Sequence, residues 1–543
     1  MKQFKKIMTT AVLAALILGA AGCKAKEASQ ASQAPVIEFP GGWKPTTDYS
    51  KQVTISTAAV LSIDGYDYSN GDDFAKWYSD HFNTRLEVTA LGFENWAERL
   101  RIWISSGDMP DVVVFDYAHP DVASWVEQGL LKKLPDNWKQ RWPNAARVFG
   151  VTGLGPQMDK VFGGTYFLPR SRFDKNLPHD PVPNHNSFYM RKDWAQAVGF
   201  PLKDSLTIPE IIEYGKLIKK HDPGNLGAKL IPITGSPDNM VSLFIDRVST
   251  HGRSFYKDKD GVYKWGAESP DTLKGLKYFY EAYEAGVANP EFYTLTFFDD
   301  YPQVFIAGIA GGLHTFAPSG QLQQAWSRFQ ANVGLDPEES LAVVTPLGDD
   351  GYYHQEDIIN FWGCLAFSPQ IKDEVFERYM DMVDFGCTER GYAMLNMGLE
   401  GIDWKQEADG SYTSLLPEGV QLQSEGGKYP SVSDGYVLGQ IKLYDDFSFE
   451  IPTTPKLFRD ISWRLYKDRC DTSTADTFSP TDWDLYCFDS PSRRKTMFDY
   501  ASAYANIITS SRSAADVEVQ WKKWIDSNRS LVDPVLKELN SLK

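Results

Sequence analysis

The sequence predicts an α/β protein built as two lobes, and three observations carry the prediction. At 543 residues the chain is too long for one hydrophobic core, so two or three domains are expected. Short β-prone runs alternate with amphipathic helical stretches through most of the chain, the order expected of α/β units. The stretch 161–194, VFGGTYFLPRSRFDKNLPHDPVPNHNSFYMRKDW, sets two short apolar runs, 165–169 and 187–191, on either side of a loop dense in Pro, Asn, His and Asp. It falls after one α/β half and before another, where a crossover between lobes is expected.

In chain order, the first signal is N-terminal. MKQFKK supplies a cationic segment, residues 7–19 an apolar run too short to span a bilayer comfortably, and AAGC a small-residue cleavage site. The pattern resembles the lipobox of bacterial lipoproteins, with Ala20 in place of the usual Leu. It implies a signal peptide over residues 1–22, a lipid anchor on Cys23 and an extracytoplasmic body at the outer face of the cell membrane. Residues 23–42, rich in Ala, Ser, Gln and Pro, read as a flexible tether.

Past the tether, residues 53–57 and 86–91 read as strands around a helix over 72–82, where Phe74, Trp77, Tyr78 and Phe82 fall at helical spacing. A second helix covers 94–105. Residues 112–115, VVVF, are continuously apolar, as in a strand buried on both faces of a parallel sheet. In an α/β lobe the ligand crevice lies outside the carboxyl ends of the strands, so loops 62–68 and 116–119 would face it. Beyond the crossover, Thr207, Pro209 and Glu210 supply a cap, a first-turn proline and a capping-box acid for a helix over 207–220. Further strands are expected at 230–234, 341–346 and 360–367, and helices at 269–284, 372–385 and through the last fifty residues. Residues 304–316 read as a helix end running into a strand. Asp260-Gly261, Asp350-Gly351 and Asp409-Gly410 predict hairpins.

The order of SSGDMPDVVVF, VFGGTYFLP, NSFYMRKDWAQAVGF with its following TIPE, FIAGIAGGLHTF and GLEGIDW resembles the lipid-anchored extracellular solute-binding proteins of ABC importers, from about residue 50 to 410. The resemblance is to the sugar-type branch, related in fold to maltose-binding protein. It implies a two-lobe periplasmic-binding-protein-like fold of type II, its lobes joined by crossing hinge segments. Lobe I would comprise 43–187 and 358–430, and lobe II 188–357 and 431–543. The implied partners are an oligosaccharide and the permease subunits of the importer, for a monomer that meets the membrane through its lipid alone. No cofactor is implied.

Binding a sugar takes flat apolar surface for the ring faces and planar hydrogen-bonding groups for the hydroxyls. On the expected crevice loops and crossings the candidates are Tyr66, Asp67, Tyr68, Asp116, Tyr117, Arg170 and Asn186. The second half adds His314, Trp326, Trp362, Glu400 and Trp404. Any one of these aromatics serves equally well as core packing. In RKDW, Arg191 is expected to pair with Asp193 while Trp194 covers a helix start. The loop 222–229 stands where relatives that take acidic oligosaccharides carry a calcium loop. Gly224 and Leu226 occupy places that need oxygen ligands, so no metal is expected there.

Aromatic residues make up 14% of the chain, and its net charge of −17 disfavours nucleic acid as a partner. The motifs GxSxG, HExxH, CxxC and GxxxxGK[ST] do not occur. A surface glycoside hydrolase or lyase is the alternative reading, with Asp445, Asp446 and Glu450 as available carboxylates; a receptor for another polar solute such as a peptide is a further one. Of the cysteines, Cys470 with Cys487 and Cys364 with Cys387 are candidate pairs, against buried thiols.

Overall fold

Ten strands in two mixed sheets frame the protein. In chain order they are β1 (Val53–Val60), β2 (Thr84–Leu91), β3 (Val112–Phe115), β4 (Phe167–Ser171), β5 (Asn186–Arg191), β6 (Ser205–Thr207), β7 (Ile231–Thr234), β8 (Ala310–Phe316), β9 (Leu341–Leu347) and β10 (Phe361–Phe367). The first sheet runs β2-β1-β3-β10-β4 and the second β6-β9-β5-β8-β7. This computed structural model describes residues 38–60, 62–92, 95–116, 121–171, 186–295, 301–356, 359, 361–417, 420–422, 426–432 and 452–542. The leader, Cys23, Tyr117, the loop 172–185 and Asp445, Asp446 and Glu450 lie outside the described residues.

Each sheet holds one strand antiparallel to its neighbours. In the first it is β10, paired with β3 and β4; in the second it is β5, paired with β8 and β9. Both are the strands with which the chain arrives from the other lobe. Because each runs against its neighbours, its amino end lies among their carboxyl ends. The crossings therefore leave and enter at the carboxyl edge of both sheets, the edge at which α/β proteins hold ligands.

The packing follows the same division. One core gathers Phe39, Ile55, Phe74, Val112 to Phe115 and Phe149 with Phe361, Phe376 and Val432. The second gathers Phe188, Met190, Ile233 and Val344 with the C-terminal Tyr504, Trp521 and Val535. Tyr189, Leu313 and Val343 point to the opposite face of the second sheet, against Trp326, Phe329 and Phe458. Helices thus cover both faces of that sheet, and every residue of β3 is buried, as its unbroken apolar run requires. Thr207 and Glu210 close the capping box of helix Ile208–His221.

The structure departs from the sequence reading at two places and settles a third. The packed body starts at Phe39, whose ring sits against Trp43, Phe82 and Phe385, so the end of the expected tether belongs to the core. Asp260-Gly261 and Asp409-Gly410 each turn a two-stranded hairpin, but Asp350-Gly351 does not. The short strand that follows it, Gln355–Glu356, pairs instead with Phe478–Ser479, so the turn redirects the chain toward the C-terminal segment. Of the two cysteine readings left open, buried thiols hold: Cys364 and Cys470 are buried and free, so neither candidate pair is a disulfide in this structure. Burial pushes the Cys470 thiol up to about 11 and holds it protonated.

Candidate functional site

In lobe I the carboxyl edge is organised by a register. Cys364 of β10 lies between Phe115 of β3 and Pro169 of β4. One step toward the crossing are Asp116, the pair Trp362-Gly363, and Arg170. The pairing of β10 with β4 shifts between Phe361 and Cys364, and Gly363 has φ +70°. That irregularity is a bulge in an incoming strand, the device that re-aims a side chain at a sheet edge. Trp362 is half-buried, its ring 6.1 Å from that of Trp96, which is held by a 2.8 Å bond from Nε1 to the Val114 carbonyl. Asp116 is exposed; burial, and after it the Asp116 charge, pushes the Cys364 thiol well above its ordinary range.

The loop after β1 is braced from within. The Ile63 amide donates to the Tyr68 hydroxyl at 2.8 Å, and the Tyr66 hydroxyl donates to Asp72 at 2.7 Å. Asp72 also caps helix Asp73–Phe82 and takes two bonds from Ser431. Asp67 accepts from the amides of Ser69 and Asn70. Tyr68 is buried and Asp67 closes a turn, which leaves the half-buried Tyr66 ring as the loop's best stacking surface.

Lobe II brings Asn186 and His314 to the matching edge. Asn186 opens β5 opposite Phe316, and His314 stands opposite Phe188. His314 is 1% exposed, and neither ring nitrogen has a hydrogen-bond partner. Burial, with the Arg247 charge beside it, holds its pKa down to about 3, so the imidazole is neutral at pH 7. The Arg247 guanidinium lies 4.2 Å over the ring of Tyr353, whose hydroxyl donates to the Asn186 carbonyl at 3.4 Å. Arg469, on helix Lys456–Thr472, donates to Ser187 Oγ at 2.9 Å. Burial lowers the Arg469 pKa, and Arg247 adds to that.

Other residues chosen from the sequence lie apart. Trp404 is fully buried, donating from Nε1 to the Gly398 carbonyl and meeting Tyr412 edge-on. Glu400 is exposed and pairs with Arg390. Trp326 packs edge-on to Tyr189 and Phe458, although its indole N–H has no hydrogen-bond partner. Arg191 makes a two-point pair with Asp193 and lies 4.2 Å over Trp194, which covers the start of a helix as expected. Asp222 gives its carboxylate to the amides of Leu226 and Gly227, closing a turn. Among the described residues no group of three or more His, Cys, Asp or Glu side chains is placed to hold a metal.

A cavity of about 1270 Å3 opens between the lobes beside this cluster. Tyr166 and Phe162 line it from lobe I, and His251, Tyr256, Trp483, Tyr486 and Arg493 from the rest. The crossing segment serves both places: Tyr353 reaches the arginines, while Glu356 and Ile359 face the cavity.

Sequence reasoning missed Arg247, Tyr353, Arg469 and the cavity aromatics. One signal for Arg469 was present. Phe458, Ser462, Leu465, Tyr466 and Arg469 share one buried helical face, and an arginine in an apolar stripe needs a reason. Arg247, between Ile245 and Val248, offered a weaker version of the same signal.

No protein-family model matches the sequence, and no curated protein matches it. Solved structures do. The calcium-free alginate-binding protein AlgQ2 superposes with a TM-score of 0.65 at 18% identity, over 91% of this chain and 98% of that one. The Streptococcus pneumoniae ABC-transporter substrate-binding protein FusA, in complex with kestose, gives 0.64 at 16% identity, over 90% and 98%. The N-glycan transport solute-binding protein NgtS of the same organism gives 0.56 at 14% identity, over 90% and 98%. At these identities the likeness establishes the fold, which is that of the two-lobe solute-binding proteins.

Proposed function

We propose that this chain is the substrate-binding lipoprotein of an ABC importer, which captures an oligosaccharide between its lobes and delivers it to a membrane permease. The observation that carries the reading is that both sheets turn their carboxyl edges to the same crossings and furnish them with aromatic, amide and charged groups of the kinds a sugar needs. Lobe I supplies Tyr66, Asp116, Arg170 and Trp362; lobe II supplies Asn186 and His314. The saccharides named for the fold neighbours, kestose with FusA and alginate for AlgQ2, support the same ligand class.

Binding has no chemical step. The ligand acts by favouring the closed arrangement of the lobes, and can do so only as far as it binds that arrangement better than the open one. Cleavage before Cys23, lipid on its thiol and a tether leading to Phe39 complete the reading and put the body outside the cell. No described helix is long and apolar enough to cross a membrane, so the proposed attachment rests on the lipid. The body acts as a monomer, with lobe I formed by 43–185 and 358–432 and lobe II by 186–357 and 452–543, the expected boundaries at 187 and 430 moving because β5 belongs to the second sheet and Val432 to the first core.

The test is a thermal-shift panel of plant and microbial oligosaccharides with product analysis. A cognate saccharide at a hundredfold excess over its dissociation constant adds about 2.7 kcal/mol to stability. The expected result is a raised melting temperature with the saccharide recovered intact. Product formation that one carboxylate substitution abolishes would overturn the proposal in favour of a hydrolase or lyase.

A further inference from the structure

Two arginines at the carboxyl edge of lobe II are buried without a carboxylate in ion-pair contact. Arg247 is 2% exposed, and its Nε and Nη1 have no hydrogen-bond partner. Its one close neighbour of note is the face of Tyr353. Arg469 is 1% exposed, bonds the neutral Ser187 hydroxyl, and has an Nε without a partner. The acids next to them in sequence, Asp246 and Asp468, act on them only through space and are engaged by Arg253 and Arg464. Among the described residues no carboxylate forms an ion pair with either guanidinium.

Burying a charged group is costly unless a partner offsets it, and arginine cannot relieve the cost by losing its proton. The arrangement is unusual in a chain of net charge −17, where acids are plentiful. Several other arginines of the protein do have partners, although Nε of Arg378 and two guanidinium nitrogens of the buried Arg170 have no hydrogen-bond partner. Arg191 has Asp193, Arg253 has Asp238 and Asp246, and Arg378 has carbonyls of Phe82, Asn83, Asp48 and Lys51. His314, beside Arg247, contributes two more ring nitrogens without partners. The two guanidiniums and the imidazole share one place, joined through Tyr353 and the start of β5.

We infer that the captured saccharide is acidic, and that a uronate carboxylate is received by Arg247 and Arg469 with His314 as a hydrogen-bonding neighbour. This rests on the proposed capture of an oligosaccharide and narrows its class. A guanidinium presents parallel N–H groups that match a carboxylate, which a neutral sugar hydroxyl cannot replace at equal strength. Ligand binding then supplies the missing counter-charge at the moment the lobes close. An unliganded protein accepts the cost of two buried cations, and a neutral sugar would leave that cost standing.

The experiment pairs oligogalacturonates, oligoglucuronates and oligomannuronates with their methyl esters, with sulfated galactans, and with neutral malto-, manno- and fructo-oligosaccharides. Affinities are measured by calorimetry on the full-length chain in detergent. A uronate is expected to bind, with its methyl ester and the Arg247→Gln variant each losing on the order of 100-fold. Binding of a neutral saccharide with affinity unchanged by Arg247→Gln overturns this inference and leaves oligosaccharide capture standing. Preference for a sulfated galactan over every uronate overturns the carboxylate assignment. A panel in which nothing binds counts against both.

A second readout needs no ligand. Arg247→Met removes a buried cation that has no ion pair and keeps much of the volume, so the unliganded variant is expected to melt higher than the parent. A lower melting temperature shows that Arg247 is a satisfied structural group, and overturns the inference.

Discussion

Arg469 donates from Nη1 to Oγ of Ser187 at 2.9 Å, tying a helix of the C-terminal segment to the strand with which the chain first arrives in lobe II. Residues 282 positions apart thus share one bond at the crossing edge. The hinge region is therefore held by chain from both ends of lobe II.

Removing that hydroxyl leaves a buried guanidinium with less compensation still. Ser187→Ala is expected to lower stability by about 2 kcal/mol, the cost of an unsatisfied buried donor. Denaturant unfolding of the unliganded protein checks this, and an unchanged midpoint would show that the bond carries no weight.

His314 gives the protein a pH signature. Its folded pKa of about 3 lies below the 6.5 of an unhindered imidazole. The unfolded chain therefore takes up a proton at His314 as pH falls below 6.5, while the folded chain does not. The stability from this group is complete above pH 6.5 and drains away down to about pH 3. By pH 5 the loss is about 2 kcal/mol. His314→Gln should remove that part of the profile, so the difference in stability between parent and variant shifts by this amount between pH 7 and pH 5.

Trp362 and Trp404 separate affinity from stability. Trp362 is half-buried at the crossing edge, and Trp362→Ala should weaken saccharide binding about 10- to 30-fold with a modest stability cost. Trp404 is fully buried, and Trp404→Ala should cost about 3–5 kcal/mol while leaving the affinity of the folded fraction intact. Calorimetry and thermal melts on the two variants distinguish these outcomes; equal effects on binding would place both at the ligand.

Gly363 tests whether the bulge aims Trp362. With φ +70°, alanine there costs about 1 kcal/mol of backbone strain. Gly363→Ala is expected to reduce affinity in the same direction as Trp362→Ala, although glycine has no side chain to touch a ligand. Binding unaffected by the substitution would show that the bulge does not position the indole.

The fold was legible where local chemistry decides structure. VVVF announced a strand buried on both faces, and Thr207 with Glu210 announced a helix start, because sequence neighbours make these contacts. The crossover could be read from its punctuation, and β5 spans residues 186–191 where 187–191 was expected. The site was less legible because its contacts are distant in sequence. Nothing near Ser187 points to Arg469, and nothing near Arg247 points to Tyr353. Tryptophan content could not tell Trp404 from Trp362, since both kinds of burial use the same residue. Asp350-Gly351 turned as expected but found another partner, because pairing is chosen by tertiary packing once the turn is made.

Helix Trp483–Tyr486 gives Trp483 and Tyr486 to the lobe I core, while the neighbouring Leu485 and Phe488 pack on that of lobe II. The short helix is a mechanical strut with a foot in each lobe. Any rotation wide enough to part the lobes must shear one set of these contacts, so the strut sets the angle at which opening becomes costly. In the proposed cycle of opening and closing, the travel of the lobes would thereby be limited by apolar packing beside the cavity, independently of the crossings between them.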